Sequence, residues 1–412
     1  MTATITNACR LCDGKTHNVL DLGWTPLANA LCDEPTLNVP RYPLALARCD
    51  KCGHFQLPVR VDQKELFPPT YPYASGASAS MRAHLDEVAR LVAERVPAGG
   101  RVLEIGCNDG YLLGQLCNYG LGVVGVDPAA STGAVERYPI IREPWGEREL
   151  PVGGVDAIVA LNVFAHVADL GRSIDQCAEA LKPGGFLMFE VGYFPAMVEQ
   201  NVFDTIYHEH LDYHTLAALV PFFLRHDLEI YDAERIPVQG GSIRVWATLK
   251  DTFEPWNNVR KLMNEESGTL RGWGNYLQTM DRIQRHLRYW DCCDKPEAVI
   301  GYGCPAKATT LTSACGLHPH AYIDDNPLKA GKYAPDGLTP ILANTEALDN
   351  FRIPDDGGRE SLRFAASEGR LTVLVFAWNM LDEILPKIRN SPAQCLREAR
   401  VLVPFPEPHY VE

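Results

Sequence analysis

No run in this 412-residue chain is apolar over the roughly 18 residues a membrane span needs. Its start, MTATITNACRLCDG, lacks the basic and apolar regions of a signal peptide. The expectation is a cytoplasmic protein without a membrane partner. Positive charge is also scarce: 38 Lys and Arg stand against 52 Asp and Glu, a net −14. That lacks the basic face of a nucleic-acid binder and leaves room only for a local basic pocket, suited to a phosphorylated small molecule. In a reducing compartment the thirteen cysteines do not read as a disulfide framework but as metal ligands or buried thiols. Internal repeats and low-complexity tails are missing too.

The length calls for two or three domains. Residues 1–70 are rich in Cys, Pro and short apolar runs, with no helical period. Residues 71–252 alternate the two periods. MRAHLDEVARLVAERV (81–96) places Leu85, Val88, Leu91, Val92 and Val96 on one helical face, and RVLEIG, GVVGVD, VDAIVAL and GGFLMFEV read as buried strands. Such alternation predicts a parallel, doubly wound α/β sheet. Residues 253–412 begin with a helical stretch to about 291. The alternation then restarts with AVIGYG, HAYIDD and LTVLVFAW, predicting a second α/β domain.

Cys9-Arg-Leu-Cys12 and Cys49-Asp-Lys-Cys52 are two C-x2-C knuckles. Four thiolates close a tetrahedral zinc shell and can fold a region too small for its own core. Four buried thiols are the bland alternative. His54 is a substitute ligand and Cys32 a spare. With no position left open for water, the expected zinc is structural.

Two glycine loops follow strands. Glu104-x-Gly106-x-x-x-Gly110 has Asp109 beside its glycines and no lysine, so it suits a cationic cofactor better than a phosphate. Asp127 ends the next strand, where a carboxylate can accept ribose hydroxyls. The segment resembles class I S-adenosylmethionine methyltransferases, as does the LKPGG turn at 181–185. The second loop, Gly301-x-Gly303-x-x-Ala306, is followed by Asp324 and Asp325, a pattern that would fit NAD. Pro305 and Lys307 at the helix start equally fit a substrate phosphate, or a purely structural turn.

FDTIYHEHLDYHT (203–215) crowds imidazole, phenol and carboxylate together. A zinc peptidase would need HExxH; His208-Glu209-His210 has its imidazoles two apart, which on a helix face away from each other. Acid–base chemistry is the better use.

The order CRLC, PLAN, CDKCGHFQL, YPYASGASASMRAHL, EIGCNDGYLL, NVFAHVADL, YHEHLDYHT, QGGSIRVW and GYGCPAKATTL resembles the sugar C-methyltransferases acting on nucleotide-linked keto-deoxysugars, over nearly the whole chain. The resemblance implies a zinc-binding N-terminal domain, a central Rossmann-like domain holding S-adenosylmethionine, and a C-terminal Rossmann-like domain without a redox cofactor. It places the cofactor at Glu104, Gly106, Asn108, Asp109, Gly110, Asp127, Pro128 and Asn162. It makes His210 the base at the sugar carbon, with Tyr207 at the ketone oxygen and Glu209 holding the site. His166 is a second acid–base group and Tyr71 a lid candidate. Tyr73, Tyr302 and Lys307 face the nucleotide-linked keto-sugar. Cys107 and the CPAKATT wording depart from the family pattern and put sugar identity in doubt more than reaction type. An O- or N-methyltransferase, or a zinc-bearing scaffold with a vestigial cofactor site, are the competing expectations. Nucleotide, methylated carbon and oligomeric state do not follow from the sequence.

Overall fold

The computed structural model describes residues 3–67, 76, 78–149, 153–250, 257–293, 298–353 and 361–411. The N-terminal region is a small antiparallel sheet in the order Thr16–Pro26, Arg41–Cys49, Phe55–Gln56, Asp212–Tyr213. Its fourth strand comes from far along the chain: Asp212 pairs with Gln56 and Tyr213 with Phe55. A division of domains near residue 70 therefore omits one exchange, since the strand just after the Tyr-His-Glu-His stretch belongs to the N-terminal sheet.

The central sheet has seven strands, ordered Leu228–Ile236, Ser242–Leu249, Leu181–Gly192, Val155–Leu161, Arg101–Ile105, Gly122–Val126, Ile140–Ile141. Ser242–Leu249 runs antiparallel to both neighbours, and the strands from Leu181–Gly192 to Ile140–Ile141 are parallel. Ile158, Val159 and Ala160 are fully buried, as expected of a strand covered on both faces. The helix Ala79–Ala93 packs Leu85, Val88, Ala89 and Val92 on one face; the Ser78 hydroxyl caps it by accepting from Met81 N–H at 3.2 Å. Because Arg101–Ile105 and Val155–Leu161 are parallel neighbours, the glycine loop after Ile105 and the NVFAHV loop after Leu161 leave the same carboxyl edge. Open α/β sheets bind ligands there.

Helices Asn257–Arg271 and Trp273–Cys293 lead to a six-stranded sheet in the order Ile341–Leu342, Ala321–Ile323, Ala298–Tyr302, Leu371–Val375, Arg400–Val403, His409–Val411. All but the last strand are parallel. This is the second doubly wound domain the sequence predicts. Its helix Ala306–Cys315 reaches both other domains: Thr309 Oγ1 donates to Ala28 O at 3.2 Å and Thr310 Oγ1 to Ile206 O at 2.8 Å. Among the described residues no helix is long and apolar enough to cross a membrane.

Candidate active site and zinc centre

The sulfurs of Cys9, Cys12, Cys49 and Cys52 all lie within 4.8 Å of one another, with Cys9–Cys52 and Cys12–Cys49 at 3.6 Å. A tetrahedral zinc–thiolate shell has sulfurs about 3.8 Å apart, so the four fit the metal. Backbone N–H groups of Leu11, Lys51 and Cys52 point at the sulfurs of Cys9 and Cys49 from 3.3 to 3.5 Å, stabilising thiolate charge. Gly14 is required by space, since a Cβ there would sit 3.0 Å from Cys49 Sγ and 3.2 Å from Cys12 Sγ. His54 is no ligand: its Nε2 faces Asp212 at 2.9 Å. Cys32 lies apart, bridged through its backbone to Tyr333 of the C-terminal domain.

At the first glycine loop, Gly106 has φ +76°, and a Cβ there would meet Val163 Cγ2 at 2.6 Å. The turn therefore requires glycine and packs against the loop carrying His166. Gly110, also left-handed, starts the helix Tyr111–Asn118. Asp127 accepts from Asn108 N–H at 2.8 Å and Ala129 N–H at 2.7 Å, which leaves a lone pair on each oxygen for a ribose hydroxyl. Asp109 accepts from Gly76 and Tyr111 N–H groups. Glu104 is buried, and its Oε2 has no partner among the described residues. Burial first, then the charges of Asp109 and Asp127, push its carboxyl well above the usual range. Three carboxylates around one loop, one with an orphaned oxygen, fit a cationic cofactor and disfavour a phosphate. Asn162 has φ +56° and donates its N–H to Glu190 O at 2.8 Å; Pro128 is exposed beside Asp127. Asp127→Ala is expected to weaken S-adenosylmethionine binding by about 1.5–3 kcal/mol, or roughly 10- to 150-fold. Calorimetry checks this, and an unchanged dissociation constant would put the ribose elsewhere.

The Tyr-His-Glu-His stretch is a turn and not a helix. His210 N–H donates to Tyr207 O at 2.9 Å, and the next helix begins only at Leu216. Successive side chains therefore splay in different directions. His208 turns to the N-terminal domain, its Nε2 3.3 Å from Pro43 O and its ring against Tyr42. Glu209 accepts from Asn29 Nδ2 at 2.7 Å, which gives the PLAN segment a place in the site. Tyr207 and His210 lie together, ring centroids 4.0 Å apart, and His166 meets His210 edge-on at 4.9 Å.

Each of those two imidazoles has its Nδ1 at 2.8 Å from a carbonyl, Thr205 O for His210 and Glu209 O for His166. A carbonyl only accepts, so Nδ1 carries the proton and Nε2 keeps a lone pair. Burial lowers His210 to about 3, with the neighbouring His166 adding to the effect; burial lowers His166 to about 4. Both are neutral near pH 7.

From the C-terminal side, Trp378 Nε1 donates to Asp204 Oδ2 at 2.8 Å. Lys307 bonds Asn379 and lies 4.8 Å from the Trp378 ring centre. Burial raises Asp204 to about 6, though Lys307 and Trp378 oppose the rise. Tyr302 has its ring buried in the C-terminal core and donates its hydroxyl to Asp325 at 3.1 Å. Tyr71 and Tyr73 lie outside the described residues. Asp204, Asn29 and Trp378 were missed by residue-type reasoning, because each acts through a contact between distant segments.

Comparison with known proteins agrees with this arrangement. Residues 9–67 match a zinc binding domain family, 75–233 a methyltransferase domain, and 237–355 a C-methyltransferase C-terminal domain. C-methyltransferase NovU of Streptomyces niveus is 30% identical over 98% of this chain and 96% of its own. This chain belongs to the C-methyltransferase family. It is an S-adenosylmethionine-dependent C-methyltransferase with a four-cysteine zinc site. The ubiquinone biosynthesis O-methyltransferase of Nitrobacter winogradskyi is 37% identical, but over only 22% of this C-methyltransferase and 38% of its own length. Among solved structures, the PH0226 protein of Pyrococcus horikoshii is 15% identical with a TM-score of 0.36, covering 46% of this chain and 98% of its own.

Proposed function

We propose that this C-methyltransferase acts on a nucleotide-linked keto-deoxysugar, at the carbon next to the ketone, through an enolate. The observation that carries the reading is the pair of neutral imidazoles, each protonated at Nδ1 so that Nε2 carries the lone pair, with His166 edge-on to His210 and the Tyr207 ring tilted against His210. The His166 loop leaves the carboxyl edge beside the glycine loop, and the His210 segment is tied to it where Leu211 N–H donates to Ala165 O at 2.7 Å.

A carbon-bound proton α to a ketone needs a base and a donor to the developing oxyanion. His210 Nε2 takes the proton. Tyr207 donates to the enolate oxygen. Asn29 fixes Glu209 behind them, and His166 is placed to share the proton. A pKa near 3 makes His210 a weak base on its own; the enolate formed beside it is the opposite charge that stabilises the imidazolium. Glu104, the glycine loop and Asp127 would hold S-adenosylmethionine, whose sulfonium would supply the electrophilic methyl group to the enolate carbon and leave as the thioether S-adenosylhomocysteine. The substrate diphosphate lies toward Lys307 and the start of its helix, where cation and helix dipole favour an anion.

The sign of the pH dependence follows. Catalysis uses neutral imidazole, and burial holds that form below the ordinary histidine value of about 6.5. The acid limb of kcat/KM is therefore expected to lie well below 6.5, in the region set by His210 at about 3 and His166 at about 4. A pH–rate profile breaking at 6.5 would contradict it. The reading itself is tested by offering nucleotide keto-sugars with S-adenosylmethionine and following mass for one added methyl group. No gain on any keto-sugar, or a methyl group on a hydroxyl oxygen, refutes it.

A further inference from the structure

Arg10 stands between two zinc ligands, yet its side chain leaves the knuckle. Its Nε donates to both oxygens of Asp212, at 2.9 and 3.0 Å. One terminal nitrogen donates to Ala168 O at 3.1 Å and the other to Val167 O at 2.7 Å. The Arg10 side chain is 7% exposed and that of Asp212 not at all. Asp212 lies two residues after His210, and Val167 and Ala168 directly follow His166. One rigid, planar guanidinium therefore grips the segments behind both imidazoles, which a lysine's point charge does not reproduce.

The surroundings favour this as a built device. Arg10 N–H donates to Gln56 Oε1 at 2.8 Å, and Leu11 is buried in the central core, so the knuckle is itself fixed. Gln63 Nε2 donates to His166 O at 2.7 Å, and Arg60 donates to Ala168 O at 3.1 Å. Every one of these donors comes from the N-terminal domain. The His166 loop belongs to the central domain but is held from the zinc side.

We propose that Arg10 is a positioning residue for methyl transfer: it fixes the spacing of His166 and His210 relative to each other from the zinc knuckle. The inference rests on the acid–base roles proposed above for those two histidines.

Removing Arg10 alone would leave the buried Asp212 carboxylate with the His54 imidazole but no guanidinium, so the main test is the neutral pair Arg10→Gln with Asp212→Asn, beside Arg10→Lys. Four readouts are taken on the zinc-loaded enzyme: zinc per chain, S-adenosylmethionine affinity, the ring-to-ring contact of His166 and His210 by histidine-selective NMR without substrate, and steady-state turnover. The double variant is expected to keep zinc and cofactor binding, to lose the ring contact, and to lose kcat by about 10- to 100-fold, with KM near wild type. Arg10→Lys is expected to fold and hold zinc but to leave kcat depressed. The proposal is overturned if the double variant keeps the ring contact, if it turns over at the wild-type rate, if its loss tracks loss of zinc, or if Arg10→Lys is fully active. Should the wild type methylate no keto-sugar, the proposed substrate falls, while the substrate-free ring contact still decides the role of Arg10.

Discussion

Replacing His210 by asparagine is expected to lower turnover by about 10²- to 10⁴-fold, the usual cost of removing a general base, while S-adenosylmethionine binding stays near wild type. The separation is physical. His210 is held by Thr205, Tyr207 and His166, whereas the cofactor loop is organised by Asp127 and Glu104. Tyr207→Phe should cost less, because the ring against His210 remains and only the hydroxyl goes. His208→Ala is the control: its side chain packs on Tyr42 and Pro43, so its loss should appear in thermal stability before it appears in the chemistry. In deuterium oxide without cofactor, the wild type should exchange the proton next to the ketone and the His210 variant should do so more slowly. Full turnover by His210→Asn, or loss of chemistry only in the His208 variant, would move the base to the neighbouring imidazole.

The second large effect is expected at the metal. Structural zinc contributes on the order of 10–16 kcal/mol of apparent binding free energy in small zinc domains, and here that energy supports folding of the N-terminal region. Cys49→Ser should lose the zinc, measured by elemental analysis, and with it the melting transition of that region. The damage should not stop there. Asp212–Tyr213 pairs with Phe55–Gln56, so a disordered N-terminal sheet releases the strand that follows His210. Methylation should therefore fall with zinc content. Zinc-free protein that retains full methyl transfer would show that the metal and the site are independent.

How much of this is legible in the chain depends on distance. The knuckles and the first glycine loop are local patterns whose spacing dictates their geometry, and the buried strands announce themselves as apolar runs. The turn at Tyr207–His210 was less legible. Read at helical spacing, His208 and His210 oppose each other; in the turn they also diverge, but because the backbone folds back through His210 N–H on Tyr207 O. Tyr302 reads as a loop residue because it stands between the two glycines of the second loop, yet it ends the strand Ala298–Tyr302 with its ring in the core. Asn29, Arg10 and Trp378 carry no signature as residues. Each gains meaning from a partner on another domain: Glu209, Asp212 and Asp204.

The strand shared between domains also bears on how the chain is made. Arg10 and Asp212 are 202 residues apart, and the N-terminal sheet lacks its fourth strand until Asp212–Tyr213 is available. During synthesis the metal knuckles emerge early, but the edge beside Phe55–Gln56 stays open while five of the seven strands of the Rossmann-like sheet are being translated. An open edge of that kind is a template for pairing with other chains. Closing it requires a long loop, a slow class of contact. A fragment ending before residue 212 would thus carry its zinc ligands and still present an unpaired strand, making solubility, more than metal affinity, the property such a truncation loses.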